Sequence, residues 1–315
     1  MHDLYYILIS MIPVVLASIG TSIGQGLIGK QALIAMHTQP ASSQNIFKMC
    51  VIGIAITETA ALMGTIMSIL LITDTAPIAN PYFASFGVTG IAFAVGISGF
   101  CAGIASSFPA IASCTSLARQ PFLQSKLLNI MLITQTLIMA PNIFGLIVGL
   151  MIKSQVPYVH TFNQAMQLLA SGISIGLGCI GPSIGLATFV FAACTALGTN
   201  KKSYNKILTF TFICEAIIET PVIFSLLISL MIFAQKISPF SNLQGWQFIS
   251  AALCIGLSTI SPGMNTGRIG ATACKQIALN VEQYPSISKI TMLALALIDS
   301  FAIYGLIISL MLLLY

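Results

Sequence analysis

Charged side chains are scarce in this chain. Asp, Glu, Lys and Arg make up only 6% of its 315 residues, whereas hydrophobic residues make up 57%. A soluble domain of ordinary composition carries about 25% charged residues. The composition therefore excludes a soluble globular domain and places the chain in lipid.

Motifs for metal binding and bond chemistry are also missing. We find no phosphate-binding glycine loop, no nucleophile arrangement and no βαβ unit. The three histidines have no metal-ligand spacing: His2, His37 and His160. The eight cysteines all lie in apolar runs, where a small side chain suits close helix packing better than redox or metal work. We therefore expect no cofactor and no bond chemistry in this chain.

What the sequence does contain is eight apolar stretches, each long enough for the roughly 20 helical residues that cross a hydrocarbon core. Taken in pairs, they predict four hairpins in an all-α membrane protein. The predicted helices cover residues 4–36, 45–73, 83–118, 124–152, 165–197, 204–235, 246–279 and 286–315.

The four hairpins are copies of one unit. At one depth in the second helix of each copy stand Glu58, Met139, Glu219 and Asp299, spaced 81, 80 and 80 residues apart. Other landmarks keep this spacing, such as Cys114, Cys194 and Cys274. We divide the chain into repeats 1–80, 81–161, 162–241 and 242–315, of which the second has no carboxylate at this depth.

Two-helix repeats return to the side from which they start, so successive copies point the same way, unlike the inverted repeats of many transporters. Parallel copies with identical faces continue head to tail until they close into a ring. The first helices are rich in glycine, as in Gly20, Gly24, Gly26 and Gly29. Because small residues permit close helix contact in lipid, we predict a tight inner layer of first helices and an outer layer that bears the carboxylates.

The basic residues predict the orientation, because Lys and Arg concentrate in cytoplasmic loops. The loops within the hairpins and their flanks hold nine of them, whereas the loops between hairpins hold only Lys153 and Lys236. Hairpin loops should therefore face the cytoplasm and both termini the outside. The amino end, with no basic residue before its first apolar run, does not look like a cleaved signal peptide.

Several segments resemble the proteolipid c subunit of rotary ATP synthases of the F and V types. Residues 20–26 resemble its glycine-rich inner helix, residues 58–64 and 299–305 its ion-binding segment, and Arg119-Gln120-Pro121 its complete loop motif. Gln39-Pro40 matches that loop in part. The likeness covers nearly the whole chain as four tandem copies.

The copies differ from one another. Met139 replaces the carboxylate in the second hairpin, which the resemblance marks as a silenced site. The third and fourth hairpins keep the acid but lack the loop motif, and only the first has the inner-helix glutamine, Gln25. The local sequence is closer to the ATP-synthase branch than to the vacuolar branch.

The resemblance implies a rotor subunit that carries ions on its carboxylates. An ionised carboxylate is costly in hydrocarbon, so it should travel neutralised by a proton or a sodium ion. Side-chain oxygens near the acids could complete a cation shell, particularly for sodium at Glu58: Gln25, Thr59, Thr220 and Ser300. Because the third and fourth hairpins lack the glutamine, we favour protons over sodium.

The resemblance also implies partners and a location. The ring would consist of copies of this chain and meet a stator subunit that carries a membrane arginine. Central-stalk subunits would contact the cytoplasmic loops at Gln39, Pro40, Arg119, Gln120 and Pro121. Membrane lipid surrounds the ring, no nucleic acid is expected, and the location would be the bacterial inner (plasma) membrane.

Glu215 lies one turn before Glu219 and, by sequence, has no counterpart in the other repeats. Arg268 in the next hairpin is the basic residue available to it, so we predict an ion pair between the two, with an ion-relay role for Glu215 as the alternative.

Two other functions fit the same pattern. One is a monomeric, proton-coupled transporter or channel whose four hairpins surround a solute path lined by acids. The other is a structural membrane protein with relic acids.

Overall fold

The computed structural model of the chain describes residues 2–237 and 243–314, with side chains from Tyr6 onward. All regular elements in these ranges are helices, and eight of them are long and apolar enough to cross a membrane. The predicted all-α membrane protein is thus confirmed. We number the helices α1 (His2–Ser10 and Ile12–Thr38), α2 (Ser43–Ile72), α3 (Pro81–Ile91, a π-helical stretch Ala92–Ile97, Ser98–Ala105 and Ser107–Arg119), α4 (Gln124–Ile138 and Ala140–Gln155), α5 (Phe162–Gly178 and Ile180–Thr199), α6 (Tyr204–Ala234), α7 (Gln244–Ser258 and Ile260–Leu279) and α8 (Tyr284–Leu314).

Five of these helices are interrupted at a single residue, and each interruption comes two or three residues before a proline. Proline has no N–H to donate and its ring crowds the carbonyl four residues earlier, so the helical ladder locally opens. The interruptions are at Met11, Ser106, Met139, Cys179 and Thr259. In α6, Pro221 lies within an unbroken helix.

The four hairpin turns have the same backbone shape despite different sequences. Each has a single non-helical residue followed by one turn of 3₁₀ helix. In the first two turns Gln39 and Gln120 precede a proline, which disfavours the helical conformation for them. In the other two, the side chains of Asn200 and Asn280 accept hydrogen bonds from the backbone two residues on. The asparagines therefore replace the missing prolines.

The hairpins pack side by side as a two-layered row. The glycine-rich helices α1, α3, α5 and α7 contact one another in sequence and form one layer. Each of α2, α4 and α6 contacts its own inner helix, the next inner helix and the next outer helix, whereas α8 packs on α6 and α7. This arrangement confirms the predicted inner and outer layers.

Glycine permits the closest contacts of the inner layer. A Cβ atom on Gly185 of α5 would overlap the carbonyl of Gly263 in α7, and one on Gly267 would overlap the backbone of Gly185. Such backbone contact is the means by which helices associate in lipid without a hydrophobic drive.

The two ends of the row are less covered than its middle. The most apolar 18-residue stretch of each helix shows the difference. The buried share of that stretch is 67% in α3 and 72% in α5, but 39% in α1 and 22% in α8. The first and the fourth hairpin therefore each have one side, at the two ends of the row, that no other hairpin of the described chain covers.

Candidate ion-binding sites

The four residues at the carboxylate depth all lie on the outer layer, but their surroundings differ. Glu58 on α2 is exposed, Glu219 on α6 is partly exposed, and Asp299 on α8 is only 7% exposed. Met139 on α4 is 4% exposed. The sequence predicted the common depth, whereas the differing burial depends on how neighbouring helices cover each position.

In the first hairpin, Gln25 connects the inner helix to the outer helix near Glu58. Its Nε2 donates to the carbonyl of Ile54, one turn before the acid, over 3.4 Å. The hydroxyl of Thr59 donates to the carbonyl of Ile56 over 2.7 Å. Both donor groups are thus directed at backbone oxygens of α2.

In the third hairpin, Glu219 has one carboxylate oxygen that is buried and has no hydrogen-bond partner in the described chain. The neighbouring hydroxyl of Thr220 donates to the carbonyl of Ala216 over 3.1 Å. Since no protein donor stabilises this oxygen, the neutral, protonated form of the acid suits the site better than the anion.

In the fourth hairpin, Asp299 also has one buried oxygen without a partner in the described ranges. The nearby hydroxyls are occupied within their own helices. Ser300 donates to the carbonyl of Leu297 over 2.7 Å, and Thr266 to the carbonyl of Pro262 over 2.9 Å.

In the second hairpin, an apolar cluster fills the site. Met139 packs with Ala60 of α2 and Ala102 of α3. The thioether of Met139 has no charge to neutralise, so this position cannot carry an ion.

Two buried amides that were not predicted from the sequence flank Met139. Gln135 is fully buried, and its Nε2 donates to the carbonyls of Gly53 (3.2 Å) and Ser106 (2.8 Å). Asn142, also fully buried, accepts from Ser98 over 3.3 Å. These contacts join α4 to α2 and α3. The signal for Gln135 was available, because it stands 80 residues before Glu215.

The predicted Glu215–Arg268 ion pair is not formed. Glu215 is fully buried and neither carboxylate oxygen has a partner in the described chain. Arg268 is exposed and donates to Asn265 of its own helix over 3.4 Å. Glu215 is buried between helices whereas Arg268 lies at the surface, a difference that residue spacing alone could not reveal. The position of Glu215 holds Gln135 in the second hairpin, an amide of the same shape, and no acid in any other hairpin.

The loop-motif residues lie together at the turns of the first two hairpins, at the end of the molecule opposite the inter-hairpin loops. Pro40 and Arg119 are exposed, and Gln39, Gln120 and Pro121 are partly exposed. They are therefore accessible to a partner at that end.

At the opposite end, Lys153 of α4 lies 2.6 Å from Asp74, which follows α2. Among the described residues, 2–237 and 243–314, it is the only ion pair. The hydrogen bond from Lys153, together with one from the backbone of Ala76, holds the pKa of the Asp74 carboxyl below its usual value. The Asp74–Lys153 pair joins the first hairpin to the second outside the hydrocarbon region.

Comparison with known proteins gives a consistent result. The sequence profile of the ATP synthase C subunit matches the chain four times, at residues 8–71, 89–152, 169–232 and 249–312. The ATP synthase c subunit of Chloroflexus aurantiacus is 36% identical over 69 residues, which is 22% of this chain and 91% of that protein. The Dehalococcoides mccartyi c subunit is 39% identical over 69 residues, with the same shares. The Gloeobacter violaceus c subunit is 40% identical over 65 residues, covering 21% of this chain and 79% of the relative. This chain therefore belongs to the ATP synthase C subunit family, of which it carries four tandem copies.

Proposed function

We propose that copies of this chain close into a ring that rotates in the membrane sector of an ATP synthase and carries protons on Glu58, Glu219 and Asp299. Family membership supports the role in the membrane sector. The observation that carries the proposal is the placement of three acids at one depth of the outer layer, two of them with a buried oxygen that has no hydrogen-bond partner in the described chain.

Each acid would cross the lipid in its neutral form, because an ionised carboxylate in hydrocarbon costs at least a few kcal/mol. At a stator subunit with two aqueous half-paths and a membrane arginine, the proton leaves to one side and the anion pairs briefly with the arginine. Capture of a proton from the other side restores the neutral acid. Directional exchange of this kind biases the rotation, which is coupled to a soluble catalytic head.

Protons fit the sites better than sodium. A sodium ion needs several oxygen ligands, and beside each acid the next residue offers one hydroxyl oxygen: Thr59, Thr220 and Ser300. Gln25 offers an amide near Glu58 only, and the matching position in the third hairpin is the apolar Leu186. A proton requires no such shell.

The internal repeats support ring closure by a second copy. Inside the chain, Gly267 and Gly270 of α7 pack on Gly185 and Phe189 of α5. Their counterparts on α1 are Gly26 and Gly29, where an added Cβ would meet no atom of the described chain within 4 Å.

The counterparts of Gly185 and Phe189 on the other end of the row are Asn265 and Ile269 of α7. Asn265 of one copy would therefore meet Gly26 of the next, and Ile269 would meet Gly29. The junction between chains would repeat the junctions within the chain.

Cysteine cross-linking tests this junction. The double variant Gly29→Cys with Ile269→Cys should give a ladder of covalent multimers on mild oxidation. The matched control, Gly270→Cys with Phe189→Cys, should cross-link within one chain and give no ladder, because loss of the Phe189 ring makes room for the new side chain on Gly270. Cross-linking of the first pair within single chains, or a detergent-solubilised mass of one chain, would instead support the monomeric transporter.

Orientation, partners and repeat boundaries complete the proposal. The hairpin turns with Gln39-Pro40 and Arg119-Gln120-Pro121 would face the cytoplasm and contact the central stalk. Both termini would lie outside a bacterial plasma membrane, as the distribution of basic residues indicates. The repeats would divide at 80/81, 161/162 and 241/242.

Transport in reconstituted vesicles tests the function. Glu58→Gln, Glu219→Gln and Asp299→Asn, made singly, should each abolish coupled proton transport, because each change adds, to the hairpin with Met139, another hairpin that passes the stator without a proton. Met139→Ala should leave transport intact. Full transport after loss of all three acids would end the proposal, and failure of a carbodiimide to modify any of them would support the structural protein with relic acids.

A further inference from the structure

A column of unsatisfied oxygens runs along one face of α6. Thr211, Glu215 and Glu219 are spaced four residues apart, close to one helical turn. Thr211 is 1% exposed and Glu215 is fully buried. The Thr211 hydroxyl, both Glu215 carboxylate oxygens and one Glu219 oxygen have no hydrogen-bond partner in the described chain.

Among the described residues, no basic group lies near enough to Glu215 to compensate a charge. The titratable side chains close enough to interact with it are the carboxyl of Glu219 and three thiols: Cys194 of α5, Cys214 of α6 and Cys274 of α7. Within the described ranges, no cation is paired with it. A buried, unpaired carboxylate is strongly unfavourable, so Glu215 must carry a proton.

The other three hairpins have different residues at the position of Glu215. The corresponding residues of the first, second and fourth hairpins are Ile54, Gln135 and Leu295. Gln135 is a permanently neutral isostere of a protonated glutamate, and it too is fully buried. The amide N–H groups of Gln135 donate to two backbone carbonyls. The position therefore accepts a neutral hydrogen-bond donor.

We propose that Glu215 keeps its proton throughout the transport cycle and is a positioning residue for Glu219. This inference rests on the proposed function and assigns the third hairpin a two-carboxyl site. When Glu219 releases its proton, the O–H of Glu215 donates a hydrogen bond to the resulting carboxylate. When Glu219 regains a proton, the Glu215 O–H is free to donate elsewhere on the same face, to the hydroxyl oxygen of Thr211.

Proton balance is simple in this scheme. One proton leaves Glu219 and one returns to it, while the bond between Glu215 and its own proton is never broken. Glu219 is the partly exposed member of the pair, so exchange with an aqueous path occurs there. The third hairpin thus differs from the first and fourth, in which Ile54 and Leu295 leave the transport acid without a carboxyl neighbour.

Infrared spectroscopy of the purified complex can separate the two carboxyl groups. In a Glu58→Gln, Asp299→Asn background, Glu215 and Glu219 are the chain's remaining acids in the middle of the apolar helices. Asp3 precedes the first span, Asp74 follows the second, and Glu282 is exposed at the start of the eighth. Difference spectra between variants remove the signals of other subunits.

In this background, raising the pH should make one protonated-carboxyl band disappear and shift a second band to lower frequency, as expected when its O–H bonds to an anion. Adding Glu219→Gln should leave a single band that does not shift over that range. Adding Glu215→Gln should leave a single band that disappears.

Three results would overturn the inference. These are an ionised Glu215 at neutral pH, parallel disappearance of both bands, which would indicate a relay through Glu215, and a Glu215 band that does not respond to Glu219. Each leaves the proposed function standing, because proton transport by Glu58, Glu219 and Asp299 is tested separately, by the loss of transport in the variants of these three acids.

Discussion

Gln135 of α4 donates a hydrogen bond to the carbonyl of Ser106 in α3 over 2.8 Å, inside the one hairpin that has no carboxylate at the transport depth. The same amide reaches the carbonyl of Gly53 in α2. The hairpin in which Met139 stands in place of a carboxylate therefore joins three helices. Gln135 can do so inside the apolar layers because an amide is neutral and still satisfies buried carbonyls.

Replacing this amide should weaken the packing of the first two hairpins. We expect Gln135→Leu to destabilise the chain by about 1–3 kcal/mol, since two buried carbonyls lose a donor. Denaturant unfolding of the detergent-solubilised protein measures this. The control Gln276→Leu alters an exposed glutamine and should change stability by less than about 0.5 kcal/mol. Equal effects of both changes would contradict the role given to Gln135.

The Asp74–Lys153 pair should make a small, pH-dependent contribution to stability. Because the pKa of Asp74 is lowered in the folded state, the contribution is fully present above the pKa of the unfolded chain. It is lost as the pH falls through the lowered folded value. Lys153→Met should therefore cost up to about 1 kcal/mol at pH 7 and nothing once Asp74 is protonated.

Unfolding curves of wild type and Lys153→Met at several pH values give this difference. Lys236→Met, at an exposed lysine outside any described ion pair, is the matched control. A difference that grows as the pH falls would have the opposite sign to the one expected.

Glycines at equivalent positions should respond in opposite ways to added volume. Gly267→Ala should disrupt the α5–α7 contact, because its Cβ would overlap the backbone of Gly185. Gly26→Ala, at the matching place on α1, meets open space in the single chain. It should be neutral or stabilising by up to about 1 kcal/mol in the monomer.

A larger side chain at Gly26, tolerated in the single chain, should not be tolerated in the assembled ring. If Gly26 lies against Asn265 of a second copy, Gly26→Leu should leave the chain folded and prevent ring formation, as size-exclusion mass would report. Intact rings from Gly26→Leu would show that the junction lies elsewhere.

The turns of the later hairpins should be convertible to the proline form. Asn280→Ala removes the hydrogen bond that Asn280 accepts from the backbone of Glu282, with an expected cost of about 0.5–2 kcal/mol. Adding Val281→Pro should recover much of this loss, because proline occupies that position after Gln39 and Gln120 and fixes the same turn. Thermal unfolding of the single and double variants decides it. If the proline worsens the loss, the four turns are not equivalent.

The sequence alone determined the eight spans, the four-fold repeat, the layer of glycine-rich helices and the common depth of Glu58, Met139, Glu219 and Asp299. These properties are local or periodic. The length of an apolar helix and the spacing of a recurring residue depend only on the order of residues along the chain. The tertiary structure decided the rest. It exposed Glu58 and buried Asp299, left Glu215 without Arg268, and gave Gln135 three helices to join. Each of these depends on which face of a helix meets its neighbour, and that direction is set only when the hairpins pack.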